Sequence, residues 1–139
     1  MTQEAKTQKM SGKYFEAVGR RKTAVARARL FLNSSGLIVN DGPAEKYFSL
    51  KKLQKILNDP FKVSGFDKKV GVSVKVSGSG PVAQAEACRH AISRALVKID
   101  PELRKSLKSA EFLKRDPRMV ERKKPGMRKA RRAHQWKKR

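Results

Sequence analysis

The chain has 139 residues, of which 35 are Lys or Arg and 12 are Asp or Glu, giving a formal net charge of +23. That length allows one domain with a modest core and an appendage. The charge excludes an ordinary solvated surface, because self-repulsion on this scale opposes compaction unless an anionic partner supplies counter-charge. Nucleic acid fits, since neutralising its phosphates releases condensed counterions. An anionic membrane fits poorly: the basic stretches have no Leu/Phe-rich face to insert, and no long apolar span is present.

Residues 1–12 are polar, carry no apolar h-region, and read as a disordered extension without a secretory signal. Thr23 to Leu32 then alternate, with Ala24, Ala26, Ala28, Leu30 and Leu32 on one face. Val25, Arg27, Arg29 and Phe31 take the other, and Arg21 is in line with them. This predicts a strand with a core face and a partly basic face. Asn33–Gly36 is a turn and Leu37–Val39 a returning strand, so the expectation here is a hairpin. Asn40-Asp41-Gly42 turns again, and Pro43 opens a short helix through Phe48.

Ser49 is placed to cap a second short helix with Leu50, Leu53, Ile56 and Leu57 on one side, and Asn58-Asp59-Pro60 is expected to stop it. Val70, Val72, Val74 and Val76 alternate with Gly71, Ser73, Lys75 and Ser77, a strand with one buried face. Pro81 opens the longest helix, to about Ile99, with an apolar stripe from Ala85 through Cys88, Ile92 and Leu96. Asp100-Pro101 ends it and begins another helix carrying Leu103 and Leu107. The fold class expected is α+β: a two-layer sandwich, a small mostly antiparallel sheet with helices on one face, followed by an extended basic C-terminal tail. The divisions are 1–12, a globular RNA-binding domain at 13–112, and the tail at 113–139.

The tail is the plainest functional signal. Arg122 to Arg139 hold ten Lys or Arg and no acid, with Met127, Ala130, Ala133 and Trp136 showing no period that buries a face. Such a segment cannot offset its ordering entropy by packing. It repels itself and extends toward a polyanion. Trp136 has no core to enter, which favours stacking on a base or filling a pocket on a partner. His134 fits either a nucleotide contact or no role.

In the domain, Arg20, Arg21, Lys22, Arg27 and Arg29 place five cations in ten residues. They fit phosphate binding, the alternative being charge that keeps a sheet edge from pairing. Gly78-Ser79-Gly80, at a strand-to-helix junction, fits an RNA phosphate held at Ser79 and the helix N-terminus, or a plain tight turn. With Ala83 it loosely matches a dinucleotide pattern, but the strand before it alternates and the segment after the helix starts another helix. Cofactor and small-molecule binding are therefore not expected, and neither a metal-ligand cluster nor an activated nucleophile is visible. Cys88 lies on the apolar stripe and reads as a buried small hydrophobe, while His90 reads as a surface residue. A single cysteine excludes an internal disulfide and fits a reducing compartment, so cytoplasm is the expected location.

The order of motifs resembles the bacterial-type small-subunit ribosomal protein S-nine family. AVGRRKTAVARARL (17–30), the Gly-Ser-Gly loop with QAEACRHAISRAL (84–96), FLKRDPRMVERKKPG (112–126) and KARRAHQWKKR (129–139) carry it. His134 stands where the family usually has proline, and Trp136-Lys137 where it has a Phe/Tyr-Ser pair. The resemblance implies a structural, non-enzymatic protein on the head of the small subunit, bound to small-subunit ribosomal RNA beside neighbouring head proteins. Arg115, Arg118, Arg122, Lys123, Lys124, Arg128, Lys129, Arg131 and Arg132 would join the domain cations on that RNA. The tip, Lys138 and Arg139, would reach the anticodon stem-loop of peptidyl-site tRNA. The 27 tail residues, fully extended, span at most roughly 90 Å. A free RNA-binding or RNA-chaperone factor outside the ribosome is the alternative that composition leaves open.

Overall fold

The structure is a computed structural model and describes residues 10–66 and 70–138. Strands β1 (Tyr14–Arg21), β2 (Ala24–Phe31), β3 (Gly36–Val39), β4 (Gly42–Pro43) and β5 (Gly71–Ser77) form one sheet, ordered β1-β2-β5-β3-β4. Three pairings are antiparallel and one, β3 with β5, is parallel. Helices α1 (Ala44–Tyr47), α2 (Lys51–Ser64), α3 (Pro81–Ile99) and α4 (Arg104–Ser109) cover one face, with a single 3-10 turn at Pro101–Leu103. None of the described helices is long and apolar enough to cross a membrane.

Small residues on both layers bring the helices close to the sheet. Ala24, Ala26 and Ala28 of β2 and Ala87, Ala91 and Ala95 of α3 are all fully buried. The closest approach is at Gly19, where an added Cβ would lie 2.3 Å from the Ala87 carbonyl oxygen and from the Ala91 nitrogen. Only glycine lets β1 pass beneath α3 there. Leu30, Leu57, Ile92, Leu96 and Leu107 belong to the same buried core, each contributing roughly 1.5–3 kcal/mol by leaving water.

Four local expectations change. The Leu37–Val39 strand runs antiparallel to β2 but does not pair with it, because β5 lies between them; the hairpins are β1–β2 and β3–β4. Nonlocal pairing with the valine-rich β5 outcompeted the local turn. Leu32 is 42% exposed while Phe31 is buried, because the strand ends at Phe31 and Tyr14 packs over its ring. Ser49 does not cap α2; Leu50 holds that position without a side-chain bond. Nor does Pro60 stop α2, which runs on to a left-handed Gly65 with Pro60 buried inside it. A lost helical hydrogen bond costs about 3 kcal/mol, which burial of the ring and of the adjoining turn offsets.

Candidate nucleic-acid interface

The helices leave the other face of the sheet open, and register decides which side chains meet there. Val18, Arg27 and Lys75 form one cross-strand row, and Glu16, Arg29 and Ser73 the next. Alternation puts Arg20 on this face as well. Four cations, Arg20, Arg27, Arg29 and Lys75, thus share this face with one carboxylate, which two of them reach. Glu16 accepts a bond from Arg29 Nε at 2.8 Å and stands 3.5 Å from Arg27 Nε. The Arg29 guanidinium also lies 4.9 Å from the Tyr14 ring centre. Held by a carboxylate, its largest influence, and by a ring, Arg29 has its pKa raised and its plane fixed. Arg27 remains 57% exposed at its side chain.

Arg21 is not in line with Arg27 and Arg29. The β1–β2 turn at Lys22, with φ of 51°, reverses the chain, so Arg21 falls on the helix-covered face. Its side chain is 12% exposed, with Nε 2.6 Å from Glu86 Oε2 and an Nη 3.0 Å from Asp116 Oδ1. It also donates to the Arg118 carbonyl. Asp116 is gripped in turn by the Arg118 backbone and guanidinium, whose hydrogen bonds hold its carboxyl well below the usual carboxylate range.

His90 is half-buried at the same junction, not a surface residue. Its Nδ1 accepts the Arg20 backbone N–H, which leaves Nε2–H to donate to the Leu113 carbonyl, both at 3.2 Å. Burial, and then Arg94 and Arg115, lower its pKa. One and two turns further along α3, Arg94 donates to the Val18 carbonyl and Lys98 to the Glu16 carbonyl. His90, Arg94 and Lys98, spaced by four, therefore occupy the backbone edge of β1 and close it to pairing. Arg89 lies over the Phe112 ring, 4.8 Å from its centre. The base of the tail is thus fastened to β1 and α3.

This end of the sheet also gathers the predicted loop. Gly78 (φ 84°) packs so tightly that an added Cβ would lie 2.6 Å from the Thr23 carbonyl oxygen, beside Lys22. Ser79, with φ of 54°, is exposed at the start of α3, whose N-cap Gly80 offers no side-chain acceptor. The uncapped first turn presents N–H groups and the positive end of the helix dipole. Arg115 reaches the Lys22 carbonyl at 3.5 Å, so Lys22, Ser79 and Arg115 share one neighbourhood.

Beyond it, residues 113–138 form no helix or strand, only a bridge between Met127 and Ala133. Glu121 pairs with Lys124 and, at 2.9 Å, with Arg131. Lys124 also donates to the Ala130 carbonyl, and Arg128 to His134 Nδ1. Arg122, Lys123, Arg128, Lys129, Arg131, Arg132 and Lys138 are exposed, and Trp136 is 79% exposed. Arg139 lies outside the described residues.

A profile of the family described as Ribosomal protein S9/S16 matches residues 19–139. The chain belongs to this family. A protein of Desulfovibrio desulfuricans called small ribosomal subunit protein uS9 is 49% identical over 130 residues, 94% of this chain and all of that protein. One of the same description from Lawsonia intracellularis is 48% identical over the same shares.

Sequence analysis singled out the strand cations, the glycine loop and the tail but not Lys75, Glu16, Tyr14 or Glu86, and it read His90 as a surface residue. The outward phase of Lys75 and the four-residue spacing of His90, Arg94 and Lys98 were visible signals. Glu16 and Glu86 had none, since only tertiary packing brings them to an arginine. Among the described residues no group of His, Cys, Asp and Glu is arranged to hold a metal ion. Cys88 is buried, and burial pushes its thiol up to about 12.

Proposed function

We propose that this chain is a structural component of the small ribosomal subunit, in the cytoplasm, binding small-subunit ribosomal RNA and neighbouring head proteins. The family match over residues 19–139 carries the reading, and the open cationic face gives it a physical means. The domain, residues 13–112, anchors through Arg20, Arg27, Arg29 and Lys75 on the sheet and Lys22 and Ser79 at its end, where Arg115 from the base of the tail joins them. Arg21 acts as a positioning residue, holding Asp116 and the Arg118 backbone so that the tail leaves in a set direction. The tail cations from Arg118 onward follow the RNA backbone, and Trp136 stacks on a base.

Arg27→Glu combined with Arg29→Glu tests the anchor. Each lost phosphate contact should lower the slope of log affinity against log salt by about one. Unchanged affinity and slope, with the fold intact, would remove the sheet face from the interface. The finer part of the proposal is that Lys138 and Arg139 contact peptidyl-site tRNA. Backbone-phosphate contacts suit a site that every tRNA occupies, because they carry no direct sequence information. Truncating those two residues should weaken tRNA retention while subunit assembly persists, and equal retention across a range of salt would refute it.

A further inference from the structure

A groove whose only charged lining among the described residues is acidic runs along the outer edge of this basic molecule. It lies between the β3–β4 pair and α2, with a volume of about 420 Å³. Leu37, Ile38, Pro43 and Leu57 supply apolar walls, Asp41 and Glu45 supply its charge, and among the described residues no Lys or Arg lines it.

The edge of the sheet opens into this groove. β4 is the last strand and pairs with β3 only at Ile38–Pro43 and Val39–Gly42 before the chain leaves at Ala44 to form α1. The turn residues Asn40 and Asp41, with φ of 47° and 66°, close a two-residue hairpin. In such a hairpin the closing pair, Val39 and Gly42, exchanges N–H and C=O. Backbone groups repeat their direction every second residue, so Leu37 directs its N–H and C=O to the same side as Val39. Among the described residues no strand lies opposite Leu37 there. An extended segment can add to such an edge, gaining main-chain bonds there and side-chain pockets beside them.

Charge selects the occupant. RNA would bring phosphates against Asp41 and Glu45, while the open sheet face offers cations. An apolar extended peptide bearing Lys or Arg gains at both the walls and the rim. We propose that this groove docks an extended, Lys/Arg-bearing segment of a neighbouring small-subunit protein, which adds to β3 at Leu37 and sets its cations against Asp41 and Glu45. The proposal rests on the ribosomal reading above.

Asn58 lies exposed on the opposite wall of the groove and is the place for a probe. Small subunits assembled with p-benzoylphenylalanine at position 58 are irradiated, and the attached peptide is identified by mass spectrometry. The expected product joins position 58 to a Lys- or Arg-containing segment of one other ribosomal protein. Asp41→Lys with Glu45→Lys should abolish that product and lower the occupancy of that protein in the subunits. The same double variant should bind isolated small-subunit ribosomal RNA at least as tightly as the native chain, which separates a docking defect from misfolding. Attachment to RNA, attachment to residues 1–9 of this chain, no attached macromolecule, or a product insensitive to the double reversal would each overturn the proposal. If the native chain enters small subunits and one of these results follows, docking alone fails. If it does not enter them, the ribosomal reading fails first.

Discussion

On the sheet, Arg27 and Arg29 occupy fixed register positions, share Glu16, and in the case of Arg29 rest against the Tyr14 ring. Along the tail, Arg122, Lys123, Lys129 and Arg132 project from backbone that belongs to no helix or strand. Both regions offer arginines, but the first sets their directions before a ligand arrives and the second leaves them to be set by it. A preset guanidinium loses less freedom on binding, so under the proposed function the domain would supply register and the tail reach and charge. The junction between them is tied down by side chains of the domain. Arg21 is held by Glu86 and Asp116, and His90 holds both the Arg20 N–H and the Leu113 carbonyl.

The sharpest way to break the contrast is to damage the domain and ask what the tail retains. Gly19→Val forces β1 away from α3 and should cost more than about 3 kcal/mol. Thermal unfolding should shift sharply or vanish while nonspecific, salt-sensitive RNA binding persists. An unaltered melting temperature would mean that the β1–α3 contact is not tight. The converse is truncation after Glu121, which removes ten cations. The salt slope of RNA binding should then fall by several units with little change in melting temperature. A comparable loss of stability would show that the distal tail belongs to the domain's core.

Smaller changes address the junction. Glu86→Gln leaves the largely buried Arg21 with Asp116 as its remaining carboxylate, and should cost about 1–2 kcal/mol. Faster proteolysis near Arg118 would accompany it; equal cleavage rates would mean that Glu86 does not fasten the tail. The smallest effect is in pH. His90 has a folded pKa below its ordinary 6.5, so the unfolded chain takes up the proton first. Its contribution is therefore complete above about 6.5 and declines as pH falls from there through the folded value. Denaturant melts at pH 7.5 and 5.5 should show that loss, and His90→Gln should flatten it. Identical slopes for the two proteins would exclude His90 as the titrating group.

Much of the fold was legible in local pattern. The Ala24–Leu30 alternation, the Val72–Val76 alternation and the bounds of α3 follow from period and punctuation, and the structure agrees with them. Strand order was not legible. Nothing between Asn33 and Gly36 signals that β5 will lie between β2 and β3. The buried Pro60 shows a similar limit, since propensity is local and burial is collective. At the candidate interface, charge density announced the strand and the tail, whereas the partners of each arginine came from elements far away in the chain.

Taken alone, the sequence determined the sign of the ligand, the tail's lack of a core, and membership of a recognisable family, because composition and motif order need no geometry. Tertiary structure alone decided which cations share a face. A single turn at Lys22 separates Arg21 from Arg27 and Arg29, and register then sets Lys75 beside Arg27 and Glu16 opposite Arg29. In a sheet, side chains become neighbours through pairing across strands, and one reversal of the chain is enough to put residues six positions apart on opposite faces.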